Sequence, residues 1–253
     1  MCLIVFAWNA HPRYRLVLAA NRDEFHARPA REMHWWPDAP GLLAGRDLEA
    51  GGTWLGITDS GRFAAVTNYR EGVAPQPGLR SRGELVTGFL SGEGDPLALD
   101  ARIDGERYAG FCLLACDGNS LAYLSNRDAT RRLEPGVYGL SNASLDTPWP
   151  KLLRSRDALR ALIDDGEPDV DRLLAIVGDR READPVEATG DALPFELEKR
   201  LSAPFVVARE YGTRCSTVML WRHTGEVEIA ERRFDPDGNA SGEMRFAFRA
   251  PAA

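Results

Sequence analysis

The chain opens MCLIVFAWN (residues 1–9), and the fold turns on how this stretch is read. Leu3 to Trp8 form a six-residue apolar run that stops at Asn9. A bilayer-spanning helix needs about 20 apolar residues, so this run cannot cross a membrane. It also lacks a basic leader and a small-residue cleavage site, which argues against a secretory signal. The run therefore reads as a buried strand that begins at Cys2. The cysteine itself has two readings. It is either a small hydrophobe starting that strand, or a residue exposed by loss of Met1, with a thiol and a free α-amino group on one carbon. For an isolated Met-Cys start the first reading is the default, and the rest of the chain has to decide.

Outward from this run the first half reads as β-hairpins. YRLVLAA (14–20) follows CLIVFAW across NAHPR (9–13), where Pro12 cannot donate to a ladder. TWLGIT (53–58) and RFAAVTN (62–68) flank DSG, and GFCLLAC (110–116) and SLAYLSN (120–126) flank DGN. Tight turns built on Asp and Gly between apolar runs are a strong hairpin signal. GVYGLSN (136–142) reads as one more strand. Helices are expected in SRGELVTGFLSG (81–92), where Ser81 and Glu84 fit a capping box, and in PWPKLLRSRDALRALIDDG (148–166). DVDRLLAIVGD (169–179) reads as a shorter amphipathic helix, and DRREADPVEATGDALP (179–194) as a polar loop. A last hairpin joins TRCSTVMLWR (213–222) to VEIAERRFD (227–235) through HTGE. Strands, then helices, then strands imply an α+β layered architecture, expected as one domain over residues 1–253.

Composition narrows the function. The 253 residues carry a formal net charge of −7, so no basic excess exists to neutralise nucleic-acid phosphates. Four scattered cysteines make no disulfide framework, and a reducing cytoplasm is the expected compartment. No G-x-G-x-x-G after a strand, G-x-x-x-x-G-K-[ST], H-E-x-x-H or G-x-S-x-G is present. Cys112 and Cys116 fall inside an apolar strand, which suits packing better than a metal. The four histidines are isolated and expected at the surface.

Four polar islands stand at strand ends. They are Asn21, Arg22, Asp23 and Glu24 in LVLAANRDEF, Asn68 in AAVTNYR, Asn142 in YGLSNAS, and Arg214 beside Cys215 in YGTRCSTV. Strand ends of one layered domain can converge on one cleft. If these converge on Cys2, its own α-amino group, with an unperturbed pKa of about 7.7–8.0, can act as base. Arg22 or Arg214 would favour thiolate, and Asp23 would orient the amine. Asn68 and Asn142 would donate to a developing oxyanion. The loop-like stretch HARPAREMHWWPDAPGLLAGRDLEAGG (26–52), with Trp35 and Trp36, would cover an acyl group or pack on the sheet. Asn21, Glu24, Trp35, Trp36 and Tyr69 are the expected substrate contacts.

These stretches resemble the NRDE-motif proteins, a family named for transport and Golgi organisation. MCLIVFAW, AANRDEFHARPA, LLAGRDLEAGGTWLGI, VTNYRE, YGLSNASLDTPWPK and YGTRCSTV carry the resemblance in collinear order from residue 2 to about 220. It implies the N-terminal-nucleophile hydrolase fold, a four-layer αββα sandwich of mostly antiparallel sheets. A more distant similarity is to the choloylglycine (bile-salt and penicillin V) amidohydrolases. That similarity implies Cys2 as nucleophile, Arg22 and Asp23 around it, Asn68 and Asn142 as donors or amine orienters, and Arg214 near the thiolate. In this chain Arg22 and Asp23 are adjacent instead of three apart, so either Asp23 or Glu24 can be the inward-facing acid.

Two functions of different class follow. The first is a cysteine amidohydrolase that cleaves a small linear or cyclic amide through a Cys2 thioester, without a cofactor. The second is a binding or trafficking protein that holds haem, acyl-CoA or lipid in the same pocket, as the family's links to haem trafficking and lipid metabolism imply. Cys2, His26 or His34 would then supply a haem ligand.

Overall fold

The computed structural model describes residues 2–71, 77–183 and 195–252. In chain order the strands and helices are β1 Cys2–Trp8, β2 Tyr14–Phe25, β3 Ala30–Trp35, β4 Leu42–Asp47, β5 Leu55–Thr58, β6 Phe63–Asn68, α1 Gly83–Leu90, β7 Phe111–Cys116, β8 Leu121–Ser125, β9 Arg131–Arg132, β10 Gly136–Leu140, α2 Pro150–Asp164, α3 Val170–Val177, α4 Phe195–Leu201, β11 Tyr211–Arg222, β12 Glu226–Phe234 and β13 Ala240–Arg249. One sheet has the order β10-β1-β2-β11-β12-β13, the other β3-β4-β5-β6-β7-β8-β9. Every strand pair is antiparallel.

The first strand shows why the run is apolar without alternation. Successive side chains of a strand point to opposite faces, and here both faces are covered. Ile4, Phe6 and Trp8 pack with Phe63, Ala65 and Leu114 of the other sheet. Leu3, Val5 and Ala7 pack with Leu152 and Leu159 of α2 and Leu173 and Val177 of α3. On the far side, Val86, Phe89 and Leu90 of α1 cover Ala44, Ala64 and Leu113. The layers are therefore α2/α3, sheet, sheet, α1: a four-layer αββα sandwich of α+β class. Each fully buried Leu or Phe in these layers contributes about 1.5–3 kcal/mol relative to exposure.

The local signals act as the residue chemistry requires. Gly61, Gly118 and Gly225 adopt φ of +82°, +94° and +97° in the three hairpin turns after β5, β7 and β11. Pro150 opens α2, and Asp169 caps α3 by accepting from the Arg172 N–H at 2.9 Å. Three expectations change. Ser81 and Glu84 form no capping box, because the N-cap is Arg82 and Glu84 accepts from the Arg80 side chain at 2.6 Å. Residues 26–52 are not a covering loop: they contribute β3 and β4, the edge of the second sheet. His11 is buried, with Nε2 3.3 Å from the Gly166 carbonyl, because it folds beneath the α2–α3 turn. β13, which carries no apolar alternation over its first half, adds an exposed edge strand to the first sheet. The polar loop of 179–194 falls outside the described residues from 184 onward.

Candidate functional site

Register places the first two polar islands against Cys2. Cys2 is the cross-strand partner of Arg22, Arg22 that of Cys215, and Cys215 that of Arg233. This row continues the inter-sheet face occupied by Ile4, Leu18 and Met219. Hydrophobic packing thus holds the sheets together up to the row, where charge begins.

Arg22 is buried, and its guanidinium lies 4.3 Å from the Trp54 ring centroid. Its Nη2 stands 3.6 Å from Asp47 Oδ2 and 3.9 Å from Glu24 Oε2. Asp47 also takes the Arg28 Nε–H at 2.7 Å; against the opposing effect of burial, that bond and the Ala50 and Glu49 N–H groups hold its carboxyl below the usual range. The glycine of the LLAGRD motif has a steric reason: a Cβ on Gly45 would lie 2.5 Å from the Trp54 ring. Gly45, Asp47 and Trp54 together seat Arg22 beside Cys2.

Asn21 and Asp23 point through the opposite face of β2. Asn21 donates to the Val177 and Pro204 carbonyls at 2.7 and 2.9 Å and accepts from Ser216 Oγ at 2.6 Å. Those bonds tie the helical layer to the sheet. Asp23 accepts from Thr213 Oγ1 at 2.7 Å. Burial pushes its carboxyl up, opposed by Lys151, Thr213 and Arg22. Lys151, fully buried on the first turn of α2, is pulled down by burial and held up by Asp23 and Cys2. Glu24 stays half-buried on the Arg22 side.

Cys2, Arg22, Asp23, Glu24 and Asn68 line one cleft of about 350 Å³, whose wall also includes Trp54 and Arg82. Both acids reach it, one from each face of β2. Asn142 stands behind this wall. It adopts φ +52°, which asparagine tolerates better than other side-chain-bearing residues, and its Nδ2 donates to the Asn68 carbonyl at 3.1 Å. Its neighbour Ser141 donates to the Cys2 carbonyl at 2.8 Å. The end of β10 thereby fixes Cys2 and Asn68 relative to each other.

Other expected contacts lie elsewhere. Arg214 is the bulged residue between Thr213 and Cys215 of β11, and its Nη1 donates to the Phe25 and Arg28 carbonyls at 2.8 and 3.1 Å. Trp36 is buried against α1's layer and donates to the Ala44 carbonyl at 3.1 Å. Trp35 packs edge-on against Phe248, and Tyr69 packs against the inter-sheet core. His26 and His34 sit 3.0 and 2.8 Å from the Ala208 and Glu32 carbonyls, outside the cleft lining. Of the proposed haem ligands, Cys2 alone faces the cleft. Cys215 is buried, and burial with the nearby Glu231 charge pushes its thiol well up. Among the described residues no group of three His, Cys, Asp or Glu is placed to hold a metal, and no helix is long and apolar enough to cross a membrane.

Sequence reasoning missed Arg82, Lys151, Trp54, Asp47 and Arg28. Asp47 and Trp54 sat in a quoted motif, and their glycine spacing was the available signal. Lys151 carried no signal of its own beside the leucines that mark α2.

Known proteins share the fold and the family of this chain. The C2A mutant of the conjugated bile acid hydrolase from Clostridium perfringens superposes with a TM-score of 0.52, covering 100% of this chain and 98% of that one at 8% identity. Such a likeness is one of fold, that of the N-terminal-nucleophile hydrolases. Two mammalian relatives align over 92% of this chain and 92% of their own length: the Transport and Golgi organization protein 2 homologs of Bos taurus, 39% identical, and Homo sapiens, 38% identical. The family model for Transport and Golgi organisation 2 matches residues 1–236, and the chain belongs to that family.

Proposed function

We propose that the protein is a cysteine amidohydrolase acting on a small non-peptide amide. One observation carries this: of four thiols, Cys2 alone is partly exposed, and it opens into a cleft beside a buried arginine and a carboxamide. The neighbouring bile acid hydrolase lends support by fold alone. Cys2 Sγ attacks the amide carbonyl and a C–S bond forms. The C–N bond then breaks, and the thiol proton leaves on the amine. Water hydrolyses the thioester and restores the thiol. Removal of Met1, which lies outside the described residues, gives Cys2 an α-amino group to carry that proton. Asp23 orients the amine, and Arg22 favours the thiolate. The Asn68 carboxamide donates to the oxyanion, with Asn142 holding Asn68 in place. Losing such a donor costs about 10²–10³ in kcat, the loss expected for N68A.

An electrophilic amide or lactam probe, read by intact mass, tests this. The wild type should gain one adduct on a chain lacking Met1, and Cys2→Ala should gain none. Labelling that survives in the alanine variant refutes the proposal.

A further inference from the structure

The cleft holds more guanidinium groups than the resemblance accounts for, and their pairing differs. Arg28 is bonded to Asp47 and Glu49, Arg80 to Glu84, and Arg22 reaches Asp47 and Glu24. Arg82 lines the same cleft and, among the described residues, forms no ion pair with a carboxylate. Its Nη1 donates to the Gly110 carbonyl at 3.1 Å. Carbonyl bonds leave this half-buried guanidinium without a bonded anion, which a nearby thiolate would supply.

Backbone packing fixes where Arg82 stands. A Cβ on Gly52 would lie 2.7 Å from the Gly83 carbonyl carbon, and one on Gly83 would lie 3.0 Å from the Thr53 carbonyl oxygen. The entry to α1 is therefore pressed onto the segment that leads into Trp54, the residue under Arg22. Arg22 reaches the cleft from the first sheet, and Arg82 from α1 beside the second. Burial depresses the Arg82 charge, and the foremost group supporting it is Cys2, ahead of Glu24 and Glu71. Arg214, bonded to two carbonyls in its bulge, is absent from the lining.

We propose that the second guanidinium acting on the Cys2 thiol is Arg82, from the turn into α1, instead of Arg214 on β11. The consequence for turnover rests on Cys2 being the nucleophile, but the ionisation of the thiol can be measured without turnover.

Iodoacetamide alkylation of Cys2, followed by intact mass across pH, reports the thiolate directly. R82M should move the midpoint up by about one pH unit or more, the scale of removing a neighbouring opposite charge. That is about tenfold slower alkylation below the midpoint. R82K should recover part of the shift, since it keeps the charge, and R214M should leave the midpoint in place. The inference is overturned if R82M matches the wild type, if R82K shifts as far as R82M, or if R214M shifts as far as R82M. A shifted midpoint with no amide-probe labelling would sink the hydrolase proposal and leave this inference standing. Labelling with an unmoved midpoint would do the reverse.

Discussion

Gly45→Ala tests whether the Arg22 seat is built as described. A Cβ at position 45 would meet two carbon atoms of the Trp54 ring at 2.5 Å, closer than unbonded carbons approach, so the ring must move. Trp54 packs against the inter-sheet core and carries Arg22 on its face, which leaves it little room to yield. Overpacking of this kind costs about 1–3 kcal/mol. For a chain of this size each kcal/mol lowers Tm by about 2–4 °C, giving a fall of about 2–12 °C. Trp54→Phe removes the two clashing carbons. G45A should therefore cost under about 0.5 kcal/mol in the W54F background, leaving a coupling of about 0.5–3 kcal/mol. Urea unfolding of the wild type, both single variants and the double variant measures that coupling. Additivity within about 0.5 kcal/mol would show that the glycine does not serve the tryptophan, and the account of the motif would fail.

Two further outcomes follow from burial. Native protein treated with excess iodoacetamide near neutral pH should gain one adduct, on Cys2, and denatured protein four: burial pushes Cys112 up, Cys116 up to about 12 and Cys215 well up, so native labelling of any of these contradicts the core assignment. Burial also raises the Glu231 carboxyl, so the folded chain holds that proton more tightly than the unfolded one. This stabilisation is complete below the unfolded value and lost as pH rises through the folded one. Glu231→Gln keeps an acceptor for the Met33 N–H, and its stability relative to wild type should fall as pH is lowered from 7 to 4. A constant or rising difference counts against it.

The hairpins were legible because Asp-Gly turn chemistry and apolar runs agree, as at Gly61 and Gly118. The α2 helix was legible from Leu152, Leu159 and Leu162 at helical spacing. β3 and β4 were not, since Pro29, Pro37, Pro40 and Gly41 punctuate the segment and its strand residues at the edge of the sheet show no alternation. β13 escaped for a related reason: most of it faces solvent, so Phe246 and Phe248 alone signal the sheet. At the site, Cys2, Arg22, Asp23, Glu24 and Asn68 were named from strand ends, and the register and cleft bring them together. Whether Asp23 or Glu24 faced inward depended on which side of β2 the helices cover. Arg82 was hidden by the capping box read into its neighbours, because local sequence does not show which way a side chain beside a helix start will turn.

The place of β1 within its sheet has a consequence for how the molecule comes into being. β1 is flanked by β10 and β2, and β2 in turn by β11, so the row that holds Cys2 and Arg22 draws on segments far along the chain. β1 has both edges paired once β10 is made, whereas β2, which carries Arg22, lacks its second partner until β11 is made. A chain halted before β11 leaves β2 with a bare rim and Arg22 without its lateral support, exposed to aggregation instead of half-equipped for chemistry. The place of Arg22 beside Cys2 is thereby secured from both sides only when β11 joins the sheet.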